Sequence, residues 1–287
     1  VDGDTVLAEA AEAYRLALGE HLVAAYALGS LAHGGFSPLV SDIDVGLIVS
    51  DPPRPDYGQM IHAIAEAEKA KGSPLHERLS VFWGTPSTLR GQRDGGRFPP
   101  LDRLDLIENG RLLIGSDKER TGLPRPSAHE LLITGARFAL EHLAGTGSDP
   151  AAETRGLGSM RPAGEDAVNE IRSPDVLLAH GVRRTTKLVL FPVRFLFTAA
   201  TGQVGTNDAA VARYLEDDLA PSADLVRAAF AWRTAPPTDE PEAAELLRSQ
   251  LVPLYVQYVD DHSKRLAALS ETELASAFER WRARLTS

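Results

Sequence analysis

The sequence predicts an α+β fold: a mixed sheet with helices over residues 1–126, followed by an all-α helical bundle over residues 127–287. Three observations carry this. A length of 287 residues suits two domains at about 100 to 200 residues each. The first part runs helix, strand, loop, strand, helix, strand, an order that belongs to α/β or α+β architecture. Beyond Pro126 every periodic segment is helical.

The elements follow in order from their periodicity. The first 20 residues place Leu7, Ala11, Tyr14 and Leu18 on one helical face, and Gly19 stops the helix. Residues 23–28 form a short apolar run ending at Gly29, and residues 43–49 form another directly after Asp42; both read as buried strands. Residues 56–71 repeat Met60, Ile61, Ile64 and Ala67 at helical spacing, residues 78–83 return to a strand, and residues 110–115 read as one more. In the second part helices are expected over 128–143, 182–200, 209–219, 223–232, 243–269 and 271–285. Thr201-Gly202 and Pro236-Pro237 punctuate them. Residues 145–173, rich in Gly, Pro, Ser and acids, read as a long loop.

Composition excludes several classes of function. With 30 basic and 40 acidic residues the net charge is −10 and the pI about 5.3. Bulk nucleic-acid binding needs the opposite sign, because phosphate contacts come from Lys and Arg. The absence of cysteine removes disulfides, thiolate metal sites and a cysteine nucleophile. The most apolar stretch, residues 188–200, contains Arg194 and falls short of the roughly 20 residues that span a bilayer. Asp2, Asp4, Glu9 and Glu12 stand where a secretory signal needs positive charge. The expectation is a cytoplasmic protein, monomeric or homodimeric, with no nucleic-acid or membrane partner.

One segment carries chemistry. Gly29-Ser30 closes the first strand, and after eleven intervening residues Asp42-Ile43-Asp44 opens the second. Two aspartates two apart on a strand share a face, making a hard, oxygen-rich platform. Magnesium prefers one or two carboxylates, with water and substrate phosphates completing its shell. Two such ions about 3.5 to 4 Å apart can clamp both oxygens of a phosphoryl displacement. Gly29 and Ser30 offer backbone N–H groups and a hydroxyl to an anion at a point where no side chain blocks approach. The loop from His33 to Ser41 would lie under a triphosphate. The eight histidines show no pair at metal spacing and read as structural.

An apolar residue, Gly-Ser, a short loop and D-x-D resemble the signature of the DNA polymerase beta-type nucleotidyltransferase superfamily. The resemblance implies a third carboxylate on a nearby strand. Glu77, counted in strand parity with Leu79, Val81 and Trp83, is the candidate, as metal ligand or general base, and Asp105 is the reserve. A second resemblance lies in the run from Arg194 through the aromatic residues to Thr201-Gly202 and Asn207-Asp208. It is similar to a segment of streptomycin/spectinomycin adenylyltransferases, and with Gly29-Ser30, Asp42, Asp44 and residues 110–115 it extends over most of residues 28–235.

The resemblance implies transfer of AMP from ATP to an acceptor hydroxyl, with two Mg2+ ions and release of pyrophosphate. Asp42, Asp44 and Glu77 would be the catalytic and metal-binding residues; Gly29, Ser30, Ser41, Lys187, Arg194 and Asn207 would contact the nucleotide. Asn207 stands where the family has Lys, and Lys187 and Arg183 precede Arg194 on the same helix face. Acceptor contacts are expected from Asp175 and His180, with Glu153, Glu165, Asp166 and Glu170 as further negative charge. The acceptor is an aminoglycoside or another secondary metabolite. A non-catalytic, antitoxin-type interaction module is the alternative of a different class.

Overall fold

The computed structural model describes residues 2–144 and 167–287. The chain separates into two compact units, the first ending at Pro126 and the second beginning at Ser127. The first is a mixed sheet with helices and the second is helical, which is the α+β arrangement.

In the first unit, α1 (Gly3–Leu18) starts where the Asp2 carboxylate accepts the Thr5 N–H at 2.8 Å, satisfying one of the donors a helix start leaves open. It buries Val6, Leu7, Ala10, Tyr14 and Leu18. Then come β1 (Leu22–Leu28), a short helical turn α2 (Gly29–His33) and β2 (Ile43–Val49). After these lie α3 (Tyr57–Lys69), β3 (Leu79–Gly84), α4 (Pro86–Leu89), α5 (Pro100–Asn109) and β4 (Arg111–Gly115). The sheet order is β3-β2-β1-β4; β1 runs antiparallel to both β2 and β4, and β2 runs parallel to β3.

Both sheet faces are covered, which is why β2 is apolar at nearly every position after Asp44. Ala25, Ala27, Val45, Leu47, Leu79 and Val81 pack with Val6, Leu7 and Tyr14 of α1 and Ile61 and Ala65 of α3. On the opposite face Tyr26, Leu28, Ile48 and Phe82 pack with Leu89, Leu106 and Leu123. Helix α5 has no counterpart in the sequence-based reading. Its start is marked by Pro100 at the first helical position, where the missing N–H costs nothing.

The second unit opens with helix Ala128–His142, whose Ser127 and Glu130 form a reciprocal capping box. Residues 145–166 of the expected loop lie outside the described residues, while 167–172 form a helix that buries Val168, Glu170 and Ile171. Helix Val182–Thr201 ends at Gly202, which takes a left-handed conformation at φ 67°. Helix Asn207–Leu215 stops four residues short of the expected end, leaving Leu219 89% exposed. The helix Glu240–Ala268 starts three residues early because Asp239 caps the Glu242 N–H at 2.9 Å. It packs against Thr272–Thr286 through Tyr255, Tyr258, Phe278 and Trp281, all fully buried.

Candidate active site

Strand β1 ends at Leu28, and the chain turns at Gly29 with φ 58°, a conformation that favours glycine. Asp42 precedes β2 and Asp44 lies within it, both half-exposed and, by alternation, on one side. Asp44 pairs with Leu28 on one flank and Ser80 on the other. A Cβ built on Gly29 would sit 2.4 Å from Asp44 Oδ2, so the carboxylate lies directly against the glycine backbone. Glycine is thus needed here for two reasons, and the close approach it permits is first that of Asp44.

The Gly29 N–H donates to Asp105 Oδ2 at 2.6 Å, a short, charge-assisted bond. Asp105 Oδ1 accepts from Asn109 Nδ2 at 2.8 Å. Ser30 is half-exposed beside this turn. Ser41 is buried; its hydroxyl accepts the Ser37 N–H at 3.0 Å and its own N–H donates to the Ser37 carbonyl at 2.9 Å. Arg78 donates to the Pro38 carbonyl at 2.8 Å, tying this loop to the entry of β3. The Ser41 side chain therefore holds the turn that delivers Asp42.

Glu77 is placed outside β3. It lies in a one-turn 3-10 helix, His76–Arg78, ahead of β3, and is exposed. The expected parity with Leu79 and Val81 needs a strand, and the 3-10 turn does not continue that alternation. Leu79 and Val81 pair with Ile43 and Val45 and face the α1 and α3 core, whereas the residue paired with Asp44 is Ser80. The β3 residue beside Asp44 thus carries a hydroxyl and not a carboxylate.

The sequence reading also passed over Arg97. Its backbone pairs with Trp83 in both directions, its guanidinium lies 5.2 Å from the Phe82 ring centroid, and Nη1 donates to the Val81 carbonyl at 2.6 Å. Burial pushes this guanidinium below its ordinary pKa, while the charges of Asp102 and Asp44 oppose the shift. The residue sits in a Gly-, Arg- and Asp-rich stretch with no periodicity, so its place could come only from the β3 edge.

Asp42 and Asp44 suit magnesium: two hard, half-exposed carboxylates beside a backbone that carries no side chain leave room for water and phosphate oxygens. Among the described residues one His and acid cluster has its ligand atoms within 4.8 Å of one another, Glu9, Glu68 and His76. It belongs to α1, α3 and the turn before β3. There Lys71 Nζ already lies 2.9 Å from Glu9 Oε2 and 2.7 Å from Glu68 Oε2, and His76 is held by Ser73 Oγ at 2.6 Å. An ammonium group thus stands where a cation would bind.

In the helical unit, Lys187 and Arg194 are half-buried on helix Val182–Thr201. Arg194 Nε donates to the Gly205 carbonyl at 2.6 Å, and Gly205 packs so closely that a Cβ there would lie 2.5 Å from the Arg194 carbonyl oxygen. Asn207 is half-exposed and opens the next helix behind the Thr206 cap. Arg233, another residue without a sequence signal, is buried over Phe230. Burial lowers its pKa, Asp208 opposes this and Arg194 adds to it. Asp175 is exposed in the first turn of Pro174–Ala179, and His180 follows that helix. His180 Nδ1 lies 2.8 Å from Glu170 Oε1, while Arg184 Nη2 donates to Glu170 Oε2 at 2.5 Å. Glu170 is therefore not an open negative charge: it is buried and committed to the His180 imidazole and the Arg184 guanidinium. Glu153, Glu165 and Asp166 lie outside the described residues. No helix among the described residues is long and apolar enough to cross a membrane.

The mixed sheet, with Gly29-Ser30 at one strand end and Asp42-Ile43-Asp44 at the next, and the helical unit that follows it make up a fold shared with a solved adenyltransferase. Among solved structures the chain is similar to the spectinomycin adenyltransferase AAD(9) from Enterococcus faecialis, crystallised with ATP and spectinomycin. The TM-score is 0.53, covering 86% of this chain and 98% of that one at 15% sequence identity. At that identity the likeness is one of fold. No family model and no curated protein matches the chain.

Proposed function

We propose that the chain is a Mg2+-dependent nucleotidyltransferase that moves AMP from ATP to a hydroxyl of a small polar acceptor, releasing pyrophosphate, and that the acceptor is an aminoglycoside. The observation that carries this is the contact between Gly29 and Asp44, in register beside Asp42 at the start of a central strand. The solved adenyltransferase of the same fold, with its ATP and spectinomycin, supports donor and acceptor class.

Asp42 and Asp44 would hold magnesium, which when bound neutralises phosphate charge and aligns the donor. The Gly29-Ser30 turn and the 33–41 loop ending at Ser41 shape the space beside the pair. In the helical unit Lys187, Arg194 and Asn207 are the proposed donor contacts, with Asp175 and His180 as acceptor contacts. The acceptor oxygen forms a bond to the α-phosphorus as the bond to pyrophosphate breaks. The hydroxyl proton would pass to Asp42 or Asp44, since the β3 residue paired with Asp44 is Ser80 and Asp105 accepts hydrogen bonds on both oxygens. Rate then comes from alignment and charge neutralisation rather than from a protein nucleophile.

A different secondary metabolite as acceptor is favoured by one observation: the commitment of Glu170 to His180 and Arg184 removes one of the acids expected to meet a cationic antibiotic. Incubation with MgATP and a panel of aminoglycosides, spectinomycin and streptomycin included, tests the proposal. The expected result is an acceptor heavier by one nucleotide, with pyrophosphate released. No modified acceptor, with Asp42→Ala matching the unaltered protein in a partner-binding assay, favours the interaction module instead.

A further inference from the structure

We infer that Asp105 is a positioning residue that holds the Gly29-Ser30 turn against Asp44, and that it is not a third metal ligand. The inference rests on the proposed nucleotidyl transfer for its consequence, though not for its geometry.

Asp105 and Asp44 approach the same residue from two sides. Asp105, on α5, receives the Gly29 N–H at 2.6 Å; Asp44, on β2, packs over the Gly29 Cα so closely that a Cβ would lie 2.4 Å from its Oδ2. Gly29 is the first residue past β1, where the sheet no longer dictates the path of the chain, and its left-handed turn at φ 58° is fixed by a hydrogen-bond acceptor from outside the sheet. Asp105 supplies it from a helix whose Leu104 and Leu106 are fully buried, so the carboxylate is mounted on a rigid element.

The donor set argues against metal ligation. Asp105 is 8% exposed, and both of its oxygens already accept, one from Gly29 and one from Asn109 Nδ2 at 2.8 Å. Asp42 and Asp44, by contrast, are half-exposed. A carboxylate buried at the cost of desolvation and bonded to one backbone N–H makes sense as a support for that backbone. If so, its acceptor oxygen matters more than its charge, and Asn should replace it where Ala cannot.

The test compares Asp105→Ala and Asp105→Asn in the full chain. Without metal or nucleotide, the Gly29 amide should exchange with solvent about tenfold or more faster in Asp105→Ala, with Asp105→Asn between that and the unaltered protein. In the transfer reaction Asp105→Ala should lower kcat by about 10- to 100-fold with KM for MgATP changed by no more than about threefold. Asp105→Asn should keep kcat within about fivefold, with the Mg2+ concentration for half-maximal rate unchanged within about twofold. Equal loss in both variants with a raised Mg2+ requirement would make Asp105 a metal ligand and overturn the inference. Unchanged Gly29 exchange in Asp105→Ala would overturn it as well. Should the unaltered protein modify no acceptor, the proposed function fails by itself, and the exchange measurement still decides the Asp105 contact.

Discussion

The strand end around Gly29 and the aromatic cluster of the helical unit treat polar groups in opposite ways. In the sheet unit Asp42 and Asp44, the proposed metal ligands, stand half-exposed at a strand start, with the backbone beside them stripped to glycine and a hydrogen bond aimed at that backbone. In the helical unit two polar atoms are drawn into an aromatic interior: Tyr258 Oη and Trp281 Nε1 are buried without a hydrogen-bond partner among the described residues. His262 is stacked on Phe278 with an interplanar angle of 10°. The first arrangement sacrifices packing for chemistry, and the second gives up hydrogen bonds for packing. A change at the first should alter reactivity with little effect on stability, and a change at the second should do the reverse.

The largest effect expected is on Asp44→Ala, which should lower nucleotidyl transfer by at least about 10³-fold while the thermal unfolding midpoint moves by no more than a few degrees. A loss of fold in this variant would break the contrast. Next comes Trp281→Ala, which should cost about 3 to 5 kcal/mol in denaturant unfolding, because a fully buried ring packed on Tyr255, Tyr258 and Phe278 leaves a cavity. Gly29→Ala follows, with transfer about 100-fold slower, since its Cβ must displace the Asp44 carboxylate.

A smaller, pH-dependent effect belongs to His262. Burial holds its pKa below the ordinary 6.5, with Asp261 opposing the shift. The unfolded chain therefore takes up a proton below pH 6.5 that the folded one refuses, and stability should fall as the pH drops through that value. His262→Gln should flatten the decline in unfolding curves between pH 7.5 and 5.5, a range chosen to bracket the histidine titration at about 6.5. The smallest effect expected is at Glu77: Glu77→Gln should leave transfer within about threefold of the unaltered protein. A loss as large as that of Asp44→Ala would show that the exposed turn before β3 reaches the site after all.

Much of the sheet unit could be read from residue patterns. The run Ile43–Val49 is a strand at the expected bounds, and Gly29, Asp42 and Asp44 gather at one end of the sheet because a strand end and a strand start are adjacent in an antiparallel pair. Glu77 shows where such reasoning stops. Alternation identifies a face only relative to a register, and the register of β3 on β2, Asp44 opposite Ser80, is a property of two strands. Glu170 is a similar case: ten residues of sequence separate it from His180, and only the short helices between them turn the two together.

Local composition and periodicity determined what depends on near neighbours. They placed most helices, the buried strands, the acidic pair and the glycine that allows a left-handed turn. Tertiary structure alone decided what depends on groups far apart in the chain: that Asp44 fills the space Gly29 opens, that Asp105 accepts the Gly29 N–H across 76 residues, and that Arg97 lies across Phe82. The physical reason is that periodicity reports which side of an element is buried, while the partner on that side is set by packing and register between elements.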